Sequence, residues 1–305
     1  MEITKVHDKF FKKIFERRDE VMDFVKHALP KDIVNNLEFA DLELDPTAYI
    51  DEVFDDTYSD IVYTCKYKSK TEIKIAFLFE HKSNYEAHSH LQLLGYILRI
   101  WAIDVKQKRK FKPVIPILFY HGKRIWDKQN FLDYFENGLD DTLLRFIPKF
   151  DFIKVDMHNY TDEKINETFE TLSLQAMMLA MKHIYDSIPD LIKSIGKIYK
   201  DIDEILSYPN GQQIIDQLTF YLLSATQIKP KDMENQVKQI TKTGAVKFQS
   251  GLDKWLEDDR KDTAMKMIAF GMTDEQIAFS AKLDIKLVVK LRKIIERTKK
   301  EYKTL

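Results

Sequence analysis

Residues YSDIVYTCKYK (58–68) and EIKIAFLFEHK (72–82) are dense in β-branched and aromatic residues, with the polar KSKT (68–71) between them. Two such runs around a short polar break predict a β-hairpin. Outward from it, residues 87–109 read as a helix, with Leu91, Leu94, Leu98, Trp101 and Val105 at alternating steps of three and four forming one apolar stripe. PVIPILFYHG (113–122) is a short, almost wholly apolar run ending at a glycine, as a strand buried on both faces would be. A strand, a helix and a second buried strand make a βαβ unit. FDFIKVDMH (150–158) is a further strand candidate, and residues 161–260 have a helical pattern broken by Pro-Asn-Gly at 209–211. Upstream, residues 6–28 predict one or two helices whose apolar face carries Phe10, Phe11, Ile14 and Phe15, with a charged break at ERRDE (16–20). Residues 32–60 hold ten acids and no Lys or Arg, which reads as a solvated, loop-rich surface or as acid gathered near a metal. The order fits an α/β core with a helical appendage.

Composition narrows the function classes. The chain has 305 residues, 44% hydrophobic, with 8 Gly and 8 Pro, which suits a globular protein and excludes low-complexity classes. With 48 basic against 49 acidic residues it is no uniformly basic nucleic-acid binder, although local basic patches remain open. One cysteine, Cys65, builds no disulfide framework and suits a reducing compartment. No apolar run reaches a membrane span and the first residues lack a signal-peptide core, so the expectation is a cytoplasmic protein without a membrane partner. No phosphate-binding glycine loop and no GxSxG elbow occurs.

The hairpin carries the chemistry. With its turn centred near Lys70, Asp60 faces Glu80, and Lys82 lies on the same strand face two residues on. Two adjacent carboxylates repel unless a cation lies between them. Hard oxygen donors without Cys or paired His point to Mg²⁺ or Mn²⁺. The amine could orient or deprotonate a water, or stabilise the reacting phosphate. The bland alternative is an exposed strand face with an ordinary cross-strand ion pair.

Asp60…Glu80-His81-Lys82 on a hairpin followed by a helix is similar to the PD-(D/E)XK nuclease pattern. HDKFFKKIF (7–15), YSDIVY (58–63), FLFEHKS (77–83), LLGYILRIW (93–101) and PVIPILFYHG (113–122) occur in order over residues 5–225. Together they resemble the recombination-promoting nuclease (Rpn) family, also termed transposases, within that superfamily. The resemblance implies a mixed sheet flanked by helices and a metal-dependent DNA endonuclease, with Asp60 and Glu80 as metal ligands and Lys82 as the catalytic lysine. Many of that family carry Gln at the lysine position, so Lys82 departs toward the superfamily's commoner residue. Superfamily members also draw on the helix after the hairpin. Gln92 is the candidate for positioning, and Tyr96 and Arg99 for phosphate contact, unless these two only cover the core with their stems. Asp8 is a helix N-cap or a further site acid, and Glu52 a further acid of similar standing. His88 and His90 lack a third metal ligand, His121-Gly122 reads as a turn, and Cys65 as a small buried hydrophobe.

Residues 281–305 hold nine Lys/Arg against three acids, and 104–124 seven against one. In the tail, Thr273 with Gln276 makes a capping box, Asp284 can cap the next helix, and Leu287, Val288, Leu291, Ile294 and Ile295 form its apolar side. Lys286, Lys290, Lys293 and Arg297 form a basic stripe, for DNA or partner contact or on a plain helical cap. The expected organisation is a nuclease core (1–160), a helical region packed on it (161–260) and a helix-turn-helix-like tail (261–305). The expected function is Mg²⁺-dependent hydrolysis of DNA phosphodiesters. The rivals are a non-catalytic DNA-binding or regulatory protein on a degenerate nuclease fold, and a toxin-like RNase. A homodimer is compatible with the sequence, which does not fix the oligomeric state.

Overall fold

A computed structural model describes residues 3–45, 61–80, 89–122, 131–135, 139–241, 260–261, 263–268 and 270–302. Two helices, α1 (Ile3–Phe15) and α2 (Arg18–Ala28), and a single turn α3 (Lys31–Val34) lead into β1 (Leu37–Leu44), β2 (Ile61–Tyr67) and β3 (Thr71–Glu80). Helix α4 (Ser89–Lys106) crosses to β4 (Val114–Tyr120); a one-turn α5 (Asp141–Leu144) precedes β5 (Ile153–Asp156). Then come α6 (Asp162–Thr168), α7 (Leu172–His183), α8 (Ile188–Ile198), α9 (Ile202–Ile205), α10 (Gly211–Ala225) and α11 (Pro230–Ile240). The tail holds α12 (Asp274–Ala281) and α13 (Ile285–Tyr302).

The five strands form one mixed sheet in sequence order. β1, β2 and β3 are antiparallel neighbours, while β3, β4 and β5 run parallel. The hairpin and the βαβ unit are therefore where the sequence puts them. The register differs in detail. Ile61 pairs with Phe77 and Tyr67 with Thr71, so the turn centres on Ser69, one residue before Lys70. Lys68 and Ser69 have φ of 51° and 53°, the left-handed backbone that a tight hairpin turn demands. Moving the centre by one residue slides the pairing by two, a whole pleat, so even-numbered positions of both strands still share a face.

That alternation divides the core. Odd-numbered Ile61, Tyr63, Cys65, Ile75, Phe77, Ile117 and Phe119 meet Phe11, Phe15 and Phe24 of α1 and α2 in the main core, which continues to Val237 of α11. Even-numbered Val62 and Ala76 meet Tyr96 and Ile100 of α4, and Leu118 and Tyr120 meet Leu93. Burial pushes the Cys65 thiol up to about 11, as suits a hydrophobe in the strand centre.

Three expectations need correction. The helix stripe is rotated: Leu93, Tyr96, Ile97, Ile100 and Asp104 are buried, whereas Leu91, Leu98 and Val105 are about half exposed. Apolar residues ring most of this helix, so periodicity alone does not select its inner face. The acid-rich stretch includes strand β1, whose alternation is blurred by an irregularity between Glu38 and Glu43 and by the charges of an edge strand. Asp8 lies inside α1, not at its N-cap. Glu52 lies outside the described residues.

The tail's local signals are as read. Thr273 and Gln276 form the capping box, and the Asp284 carboxylate accepts from the Lys286 amide at 2.7 Å. Ala264, Ile268, Ile277, Ala281 and Val288 make a small core of their own, and Arg292 donates to Asp274 and to the Met272 carbonyl.

Candidate active site at the carboxyl ends of the parallel strands

Glu80 is the last residue of β3. Its strand partner is Tyr120, the last residue of β4, and Tyr120's partner is Asp156, the last residue of β5. Tyr120 and Asp156 belong to the α4 face of the sheet, and Glu80 occupies the backbone register position level with them. At a strand spacing near 4.8 Å, the Cα atoms of Glu80 and Asp156 stand roughly 10 Å apart. This edge, where three parallel strands end beside a crossover helix, is the usual place for a site in such a sheet.

Asp60 and Lys82 lie outside the described residues, as do His81 and His88. Among the described residues no three His, Cys, Asp or Glu side chains cluster as a metal site. The described β2–β3 pairing ends at Ile61 with Phe77, and its register centres on Ser69, not on the Lys70 that would set Asp60 opposite Glu80.

Gln92 and Arg99 on α4 are half-buried. Tyr96 is only 2% exposed and packs on Val62 and Ala76, so its ring belongs to the core. The Arg99 guanidinium lies 6.0 Å from the centre of that ring. His90 is buried beside Tyr134, with its Nδ1 2.8 Å from the Tyr134 hydroxyl. In the tail, Lys286, Lys290 and Lys293 are exposed; of Arg297 only the helical backbone is described.

Sequence reading missed three polar groups on the sheet. Lys74, on the α4 face, is fully buried and paired with Asp104 at 3.2 Å and Asp45 at 3.6 Å, with Arg109 donating to Asp104 at 2.7 Å. It lies six residues, about 20 Å of strand, from Glu80. On the opposite face His121, directly after the end of β4, is a buried ring 5.3 Å from His7 and 5.7 Å from Tyr185. His7 Nδ1 lies 2.7 Å from the Tyr221 hydroxyl, which ties the HDKFF stretch to α10. The third group is the pair Asp156 and His158: Asp156 Oδ1 accepts from the His158 amide at 3.0 Å and from its ring Nδ1 at 2.8 Å. The 3₁₀ turn Met157–Asn159 holds His158 over Tyr120, ring centres 6.0 Å apart. Gly122 leaves room for the Tyr120 side chain, since a Cβ there would lie 2.5 Å from the Tyr120 hydroxyl.

A family model described as "Putative transposase, YhgA-like" matches residues 5–213. The chain belongs to that family. It is similar to the recombination-promoting nuclease RpnD of Escherichia coli O157:H7, 27% identical over 223 residues, covering 72% of this chain and 81% of the relative. RpnC of Escherichia coli K12, also named a recombination-promoting nuclease, is 22% identical over 306 residues, covering 96% and 98%. RpnE of the same strain, named an inactive recombination-promoting nuclease-like protein, is 28% identical over 197 residues, covering 63% and 62%. No solved structure matches. The resemblance drawn from the motifs is thus to the right family: this is an Rpn-family chain on a mixed α/β fold.

Proposed function

We propose that this Rpn-family chain is a metal-dependent DNA endonuclease of the PD-(D/E)XK kind. The observation that carries the reading is Glu80 ending β3 in register with the last residue of the parallel β4, where β5 also ends. Asp60 and Glu80 would hold Mg²⁺ or Mn²⁺, two carboxylates being the hard-oxygen donor chemistry those ions take. When bound, the ion supplies positive charge beside a phosphodiester and lowers the pKa of a coordinated water. Lys82 orients that water or neutralises charge on the phosphate. Gln92 positions the water or the phosphate from α4. Arg99, half-buried at the helix surface, meets a backbone phosphate, and the Tyr96 ring beneath it limits any polar contact of its own to the hydroxyl. Lys286, Lys290, Lys293 and Arg297 on the helix-turn-helix-like tail track the DNA backbone.

A second reading has support of its own. One relative, RpnE, is named inactive, so a non-catalytic DNA-binding protein on the same fold is the rival. Supercoiled plasmid incubated with Mg²⁺, with Mn²⁺ or with EDTA decides between them. Nicking that needs the ion and disappears with EDTA supports the enzyme; retarded but intact plasmid supports the rival. Cleavage of RNA in preference to DNA would replace the substrate class.

A further inference from the structure

The pair at the end of β5 is built as an oriented base. A carboxylate can only accept, so the His158 Nδ1–H is the donor in its 2.8 Å bond to Asp156. That bond sets the tautomer and leaves the lone pair on Nε2. Asp156 is only 4% exposed and is held by a second bond, from the His158 amide at 3.0 Å. The imidazole side chain is 32% exposed and so reachable. The Tyr120 ring stacks beside it and restricts its swing. Through Tyr120, the pair stands in register with Glu80, two strands away.

We infer that His158 is a catalytic residue of this edge: its Nε2 takes the proton of the water that attacks the phosphodiester, and Asp156 is its positioning residue. The inference rests on the nuclease reading and deepens it. The water O–H bond breaks and its proton passes to Nε2. The water oxygen bonds to phosphorus. The bond from phosphorus to the departing sugar oxygen breaks with its electron pair, and that oxygen is protonated from solvent. Proton removal thereby falls to His158, which leaves Lys82 to the phosphate charge.

The test is His158→Gly and Asp156→Asn in the full chain, measured by plasmid cleavage with Mg²⁺ or Mn²⁺, by DNA affinity without divalent ion, and by melting temperature. A general base contributes about 10²–10⁴-fold, so His158→Gly should lower kcat by at least about 100-fold. KM, DNA affinity and melting temperature should stay near wild type, and added imidazole should restore part of the rate by filling the vacated space. Asp156→Asn should lower kcat less, with no rescue by imidazole. If wild-type chain cleaves and His158→Gly cleaves at the same kcat, the inference is overturned while the nuclease reading stands. A loss that imidazole leaves untouched and that comes with a lower melting temperature assigns the pair to the turn alone and also overturns it. A wild-type chain that never cleaves with either ion removes both readings.

Discussion

The two faces of the sheet do different work. The odd-numbered face is largely aromatic: Phe11, Phe15, Phe24, Phe77 and Phe119 form a run of ring contacts, with Phe15 and Phe24 at 4.8 Å edge to face, and the buried His7 and His121 rings lie at its end. Between the even-numbered face and helix α4 lie Lys74, Asp104 and Asp156 at 4% exposure or less. A polar group in a dry core costs several kcal/mol unless satisfied, so a face that tolerates them must supply partners or a ligand. Lys74 and Asp104 have each other. Glu80 ends its strand in backbone register with Tyr120 and Asp156. The odd-numbered face thus carries most of the aromatic packing, and the even-numbered face carries the buried charges.

The comparison breaks most visibly at Glu80. Glu80→Ala should reduce metal-dependent nicking by about 10³-fold, roughly 4 kcal/mol of barrier, with an unchanged melting curve. A variant that nicks at the wild-type rate would remove Glu80 from the site. Next comes the aromatic face. Phe24→Ala should cost about 3–5 kcal/mol in urea unfolding, and the residual folded protein should cleave normally. Equal losses of rate and stability would mean the two faces are not separable. Lys74→Met tests whether the polar face needs its charges away from the site. Stripping Asp104 of one cation should cost about 2–3 kcal/mol, less than for an isolated buried pair because Arg109 remains. The double change Lys74→Met with Asp104→Leu should recover most of it. If the double variant is as unstable as the single, the cluster matters for more than charge balance.

The tail gives the smallest effect. Exchanging Lys286, Lys290 and Lys293 together for Gln removes exposed charge and no core contact. If each meets a phosphate, the slope of log affinity on log salt should flatten by about 0.9 per residue. An unchanged slope, measured by anisotropy at several salt concentrations, would confine DNA contact to the body of the protein.

Local features were legible in the residue pattern. Strand runs around a polar turn, a buried run after a helix, and the Thr273–Gln276 box depend on neighbours within a few residues, and each stands where its pattern lies. Family membership was also legible, because the motifs keep their order along the chain. Tertiary structure alone decided the rest. α4 is apolar around most of its circumference, and only docking on Val62, Ala76 and Leu118 selected Leu93, Tyr96 and Ile100 as its inner side. The strand β1 was hidden because its charges belong to an edge, where one flank faces water. The burial of Lys74 depends on partners from positions 45 and 104, which no local pattern announces. The Asp156–His158 pair reads as the end of a short strand until parallel pairing puts it level with residues 120 and 80, since no local pattern encodes which strands become neighbours.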